Sequence, residues 1–273
     1  MMRKLKRIIF ALICKRFKGV KLLDEQGAWY DSNEPLLWAY AGGGSLRRYG
    51  NAVEDIDASI KNGFLVIELD FAQSADGIPL MTHFFKPEDS ENEWDHVPTA
   101  AEFLAKKVNG KYTPLDFSGF IKRYANSGCF FSLDPFYYYC NVQDGERKFR
   151  EYVLSHTTAA ERKHLILQLY SFKTLVEMRG NHDFGALHYV IGIGNFWKVK
   201  YLIPLLTEAG VRSVSFQDCQ FTDEMFEAIK LLHAANIRVS AAGVNTIDRY
   251  QEVKKVGVNL VNTASLTPNL IKE

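Results

Sequence analysis

A glutamate and an aspartate separated by one leucine, Glu68-Leu69-Asp70, close an apolar run at residues 65–71. In an extended strand alternate side chains share a face, so both carboxylates point one way and Leu69 the other. Two acids aimed at one point repel each other unless a cation lies between them, and ligation by oxygen alone suits Mg²⁺ or Ca²⁺ rather than zinc. A second apolar run, CFFSLD at 129–134, ends in Asp134 and offers a third carboxylate where strand ends converge. The turn sequence SADG then leads into IPLMTH, residues 78–83, which returns His83 to the same end. A histidine beside a bound cation is placed to hand a proton to a leaving oxygen. A solvated strand edge for the acids and a plain hydrogen-bonding role for the histidine are the bland alternatives. His96, His156, His164, His182, His188 and His233 stand in no comparable setting.

Upstream, AYAGGGSLRRYGNA sets a glycine-rich turn at the end of another short apolar run. Backbone N–H groups in such a turn, at Gly42 for example, can come close to an anion; equally, the glycines serve a tight turn. Arg47 and Arg48 face either the anion or solvent.

The elements that must position these residues follow a regular rhythm. Short β-rich runs alternate with amphipathic helical stretches from residue 36 onward, the signature of βα units around a parallel sheet. Candidate strands fall at 36–41, 65–71, 78–83, 129–134, 164–170, 187–193, 211–216, 237–242 and 258–263. A closed (β/α)8 barrel takes eight, so one of the nine lies outside the ring or is no strand. Capping residues frame several helices, as Thr222 and Asn236 do around TDEMFEAIKLLHAAN. The stretch 84–113 breaks the rhythm and reads as a small insertion over one end of the barrel.

With 273 residues, 47% apolar and 24% charged, the chain suffices for one α/β barrel, and a formal charge of +1 argues against a nucleic-acid partner. Its four cysteines form no CxxC pair and no zinc-like spacing, which fits a reducing, cytoplasmic setting. Residues 1–34 read as a basic N-terminal segment ahead of a barrel spanning 35–273. The apolar run at 8–14 is too short to cross a bilayer, and basic residues flank it on both sides. Two readings compete for it: a helix lying peripherally on an anionic inner membrane surface, or a helix capping the barrel floor.

From Leu36 to Phe84 the chain resembles the opening of the glycerophosphodiester phosphodiesterases, within the wider group of phospholipase-C-like phosphodiesterase barrels. That family pattern is a His-Arg-Gly or His-Ala-Gly-Gly turn, an Asn, then ExD, then a DG hairpin ending in His-Asp. Asn51, Glu68, Asp70, Asp76, Gly77 and His83 match it in order and approximate spacing. KYTPLDFSGFIKR with CFFSLD, ILQLY, GVNT and KKVGVNLVNT carry weaker echoes through the rest. The resemblance implies a barrel, a divalent cation on Glu68, Asp70 and Asp134, contact with the substrate at Gly42 and Asn51, and hydrolysis of a glycerol-phosphate or related polyol-phosphate diester by two histidines.

Four positions depart from the pattern. Tyr40 stands where the family has its first histidine, and tyrosine donates a hydrogen bond but is a poor base near neutral pH. Phe84 replaces the aspartate after the second histidine, Phe136 a frequent lysine, and Asn262-Thr263 a Thr-Asp. Three readings follow: an altered or weakened metal-dependent phosphodiesterase using His83 and Tyr40, a catalytically inactive barrel that binds a phosphorylated ligand or a protein partner, or an unrelated barrel enzyme.

Overall fold

The computed structural model describes residues 2–23, 29–31, 34–43, 50–83, 94–180, 182–192, 195–216 and 222–271. Nine strands are present among them: β1 (Leu36–Ala39), β2 (Val66–Gln73), β3 (Pro79–Met81), β4 (Phe130–Asp134), β5 (Leu165–Leu169), β6 (Ala186–Ile191), β7 (Val211–Phe216), β8 (Arg238–Ala241) and β9 (Leu260–Thr263). Eight of them pair in parallel in the order β1, β9, β8, β7, β6, β5, β4, β2, and β1 pairs with β2 to close the ring. The fold is therefore a (β/α)8 barrel. The ninth candidate, β3, lies outside the ring, antiparallel to the outer half of β2 with Phe71 opposite Met81. Its turn is built as the sequence suggests: Gly77 sits at φ 85°, and the Ser74 hydroxyl accepts from the Ile78 N–H at 2.8 Å.

The helices are α1 (Met2–Cys14), α2 (Val53–Lys61), α3 (Ala100–Ala105), α4 (Phe117–Tyr124), α5 (Phe136–Asn141), α6 (Gly145–Ser155), α7 (Ala159–Arg162), α8 (Phe172–Glu177), α9 (Val199–Ala209), α10 (Asp223–Ala234) and α11 (Ile247–Lys255). Side-chain caps start many of them, Thr222 accepting from the Met225 N–H ahead of α10 and Asp116 from Gly119 ahead of α4. Outward-facing strand residues such as Leu69, Phe131, Leu167 and Val214 bury against the helices in one large apolar core. Of the stretch 84–113, residues 84–93 lie outside the described set. Phe103 of α3 packs with Ala72 and Leu80 on the β2–β3 hairpin.

The floor of the barrel, at the N-terminal ends of the strands, is closed by Trp29 and Tyr30, not by α1. Trp29 lies edge-on to Trp38 at 5.3 Å, in a cluster with Val66, Ile166, Ala186 and Leu260. Helix α1 instead crosses the flank near the opposite rim. Its Phe10 packs edge-on against Phe172, Trp197 and Tyr201 at 5.5–6.5 Å, and Arg7 reaches Glu224 at the start of α10. Further along, Lys18 and Gly19 donate backbone N–H groups to Glu208 at the far end of α9. The N-terminal segment thus runs down the outside of the barrel from its mouth to its floor.

Candidate metal centre and active site

Parallel register sets Glu68 beside Ser132 and Asp70 beside Asp134, so the three acids meet at the C-terminal mouth. One carboxylate oxygen from each of Glu68, Asp70 and Asp134 lies within 4.8 Å of the others. Glu68 and Asp70 are buried, whereas Asp134 keeps some contact with solvent.

Each acid is held by its own donors. The Ala41 N–H reaches Glu68 Oε2 at 2.7 Å, from a turn in which Ala41 adopts φ 50°. Asn51 clamps Asp70 from both ends of its amide: Nδ2 donates to Oδ2, and Oδ1 accepts from the Asp70 N–H, each at 2.9 Å. Asn51 takes φ 63°, a left-handed conformation that Asn tolerates better than most residues. Asp134 Oδ1 accepts from the Phe136 N–H at 2.7 Å, and the Tyr170 hydroxyl lies 2.8 Å from both of its oxygens.

Electrostatics follow from this crowding. Burial, then the charges of Asp70 and Asp134, push the Glu68 carboxyl well above its ordinary range. Asp70 is also raised by burial, against the opposing pull of His83 and Asn51. Asp134 is pushed up to about 7 by burial and by the charge of Asp70. Among the described residues, His83 is the one basic side chain paired with the acids, its Nε2 3.9 Å from Asp70 Oδ1 and its side chain half-exposed. Three mutually repelling oxygen donors, with no lysine or arginine paired to them among the described residues, suit a hard divalent cation.

The remaining anticipated residues fall around this centre. Tyr40 opens the turn after β1, one residue before the Ala41 N–H that binds Glu68, and is 39% exposed. Gly42 is buried at φ 85°, and a Cβ there would stand 3.1 Å from the Asn51 nitrogen, so the turn packs onto Asn51 only with glycine. Arg47, Arg48 and Phe84 lie outside the described residues. Tyr170 was not anticipated, nor was the polar layer beneath the acids. There Gln168 donates to Ser132 at 3.2 Å and His188 Nδ1 lies 2.6 Å from the Ser213 hydroxyl. His188 is fully enclosed, and burial lowers its pKa to about 3, which keeps the ring neutral. Strand alternation was the available signal, since it puts Gln168 and Tyr170 of ILQLY on one face.

No protein-family model and no curated protein matches the chain. Solved structures do. A glycerophosphoryl diester phosphodiesterase from Parabacteroides distasonis superposes with a TM-score of 0.66 at 14% identity, covering 94% of this chain and 88% of its own. The glycerophosphodiester phosphodiesterase of Thermotoga maritima gives 0.66 at 16% identity, covering 85% and 96%. An Oleispira antarctica phosphodiesterase, solved with the product sn-glycerol-3-phosphate, gives 0.66 at 17% identity, covering 89% and 97%. At these identities the likeness is one of fold. The chain has the barrel of the glycerophosphodiester phosphodiesterases, with an acidic cluster at its mouth.

Proposed function

We propose that the protein is a divergent glycerophosphodiester phosphodiesterase, hydrolysing a glycerol-phosphate or related polyol-phosphate diester with Mg²⁺ or Ca²⁺. The convergence of Glu68, Asp70 and Asp134 within 4.8 Å, in a barrel shared with solved phosphodiesterases, carries this reading. Those three residues would hold the cation, which when bound supplies neutralising charge for the phosphoryl oxygens. His83, beside Asp70, hands a proton to the leaving oxygen. Tyr40 donates a hydrogen bond to the phosphate, and the turn at Gly42 and Asn51 bounds the substrate. Tyr40 supplies no base, so turnover falls about two to four orders of magnitude below that of a two-histidine site. The test is hydrolysis of glycerophosphodiesters with Mg²⁺ or Ca²⁺, before and after chelation. Activity that survives both chelation and the change Glu68→Ala is incompatible with the metal-centred reading.

The second reading is an inactive barrel that binds a phosphorylated ligand or a protein partner through the same centre. Tyr40 in place of a base is the observation that favours it. Metal-dependent binding of glycerol-3-phosphate without turnover of any diester would decide for it.

Peripheral membrane contact belongs to the same proposal. Leu5, Ile8, Ile9, Leu12 and Ile13 of α1 are 41–58% exposed, while Phe10 and Cys14 face the barrel. Eight basic residues and no acidic one stand among the first 23, so an anionic lipid surface matches this face in both charge and polarity. Among the described residues no helix is long and apolar enough to cross a membrane.

A further inference from the structure

A cavity lies beside Phe136 and Tyr170, the two residues that bond Asp134. It encloses about 210 Å³ and is lined by Phe136, Tyr139, Tyr170, Asn195, Lys198 and neighbouring β6 residues. Tyr170 is the partition: its hydroxyl bonds Asp134, while its ring stacks on Tyr139 at 5.5 Å and 19° and touches Phe136 at 5.2 Å. Phe136 and Tyr170, which both bond Asp134, also line this cavity, so a diester whose phosphate sat at the acids would have it as the neighbouring space for one of its two substituents. At roughly 30 Å³ per water, the space equals about seven waters, room for a small head group.

Three aromatic rings alone would suit a quaternary ammonium head group. Lys198 changes that. It lines the same cavity, is partly buried, and among the described residues it pairs with no carboxylate. Its ammonium lies over the rings of Phe10 and Trp197 at 5.6 and 5.8 Å, contacts that leave its N–H donors unmatched. Burial lowers its pKa, as expected of a charge drawn from water without a counter-ion. With Lys198 in the cavity wall, a cationic head group entering here would be repelled and an anionic one would supply a partner.

We propose that this cavity is the head-group subsite and that Lys198 makes it selective for a head group bearing an anionic oxygen over a cationic, choline-type one. The assignment rests on the phosphodiester reading of the acidic centre. It also accounts for the loss of lysine at Phe136. The aromatic side chain builds the cavity wall, and the positive charge comes instead from the segment after β6.

The test is binding, which needs no turnover. Titration calorimetry of the full chain with Ca²⁺ would compare glycerophosphoserine, whose head group carries a carboxylate beside its ammonium, with glycerophosphocholine, whose head group carries a cation alone. Wild type is expected to favour glycerophosphoserine by about tenfold or more, the scale of one hydrogen bond to a charged group. Lys198→Met should remove that preference, mainly by weakening glycerophosphoserine, and Lys198→Arg should keep most of it; unchanged thermal unfolding of both variants confirms that α1 still docks. Equal losses for the two diesters in Lys198→Met place the lysine on the shared phosphate and overturn the head-group assignment. So does a wild type that binds both alike, or neither. Selective binding with no hydrolysis of either diester leaves the subsite standing and defeats the proposed activity instead.

Discussion

Protons and metal should compete for the three acids, and the competition can be read as stability. With Asp134 titrating near 7 and Glu68 raised well above its ordinary value, at least one proton must leave before a cation binds. For one such proton, affinity falls towards tenfold for each pH unit below 7, hence about fiftyfold between pH 7 and pH 5 and nearly a hundredfold between pH 8 and pH 5. If the metal stands at 100 times its dissociation constant at pH 8, it stabilises the fold by about 2.7 kcal/mol; at pH 5 the same concentration gives about 0.4 kcal/mol. At ~2.1 cal/mol/K per residue, the 273-residue chain unfolds with an entropy of about 0.57 kcal/mol/K, so the shifts in Tm are about 5 °C and under 1 °C.

The metal-free pH profile alone would mislead. Asp134, raised in the fold, contributes stability that is complete below pH 4 and lost as pH rises through 7. His188, held neutral with a pKa lowered to about 3, contributes stability that is complete above 6.5 and lost as pH falls towards 3. Between pH 5 and 7 the two slopes oppose each other, whereas the metal-induced increment isolates the acids. Differential scanning calorimetry at pH 5, 6, 7 and 8, with and without 1 mM CaCl₂ or MgCl₂, measures that increment. It should grow with pH and vanish in Asp134→Asn. An increment that is constant with pH, or survives that substitution, refutes the reasoning.

Tyr170→Phe removes a donor from both oxygens of Asp134 and should weaken metal binding roughly tenfold by calorimetry with the fold intact; unchanged affinity would reduce Tyr170 to a wall of the neighbouring cavity. Tyr40→His should raise diester hydrolysis by at least about tenfold by restoring a base, and vigorous wild-type activity that falls on this change would mean that Tyr40 serves its own chemistry. The double change Leu5→Asp, Leu12→Asp alters only exposed positions of α1 and should cut co-sedimentation with anionic vesicles several-fold; equal sedimentation of wild type and variant makes α1 a structural brace.

Much of the barrel was legible because its strands are short, β-branched and separated by capped helices, and because Glu68, Asp70 and Asp134 each end an apolar run. The ambiguity of nine strands was soluble in principle. A strand joined by the SADG turn must run antiparallel to its partner, and so cannot take a place in a parallel ring. What stayed hidden depended on contacts between distant segments. Trp29 closes the floor from a stretch with no periodicity, so a floor cap stood only as one of two readings of the N-terminal helix, beside a membrane-surface helix. Tyr170 becomes meaningful only when β5 lies beside β4 and its hydroxyl meets Asp134. His188 looks ordinary in LHYVIGI until alternation is combined with closure of the ring.

The division between what the site keeps and what it alters has a physical logic. Three carboxylates converging on one point, two of them buried, are costly, yet each is held by dedicated donors: the Ala41 N–H, the Asn51 amide, the Phe136 N–H and the Tyr170 hydroxyl. That scaffold also demands left-handed backbone at Ala41 and Asn51 and glycine at position 42. None of it depends on Tyr40 being a histidine, because it is the backbone of the turn, through Ala41, that holds Glu68. Phe136 likewise keeps its backbone bond to Asp134 whatever its side chain, so exchange of lysine for phenylalanine alters the cavity wall and spares the acid. Under the proposed function, the departures at Tyr40 and Phe136 therefore fall on side chains that would move protons or hold substrate, while the groups that would hold the cation are intact. Metal affinity and turnover would thus be separable in a barrel built this way, and a substitution that changes one need not change the other.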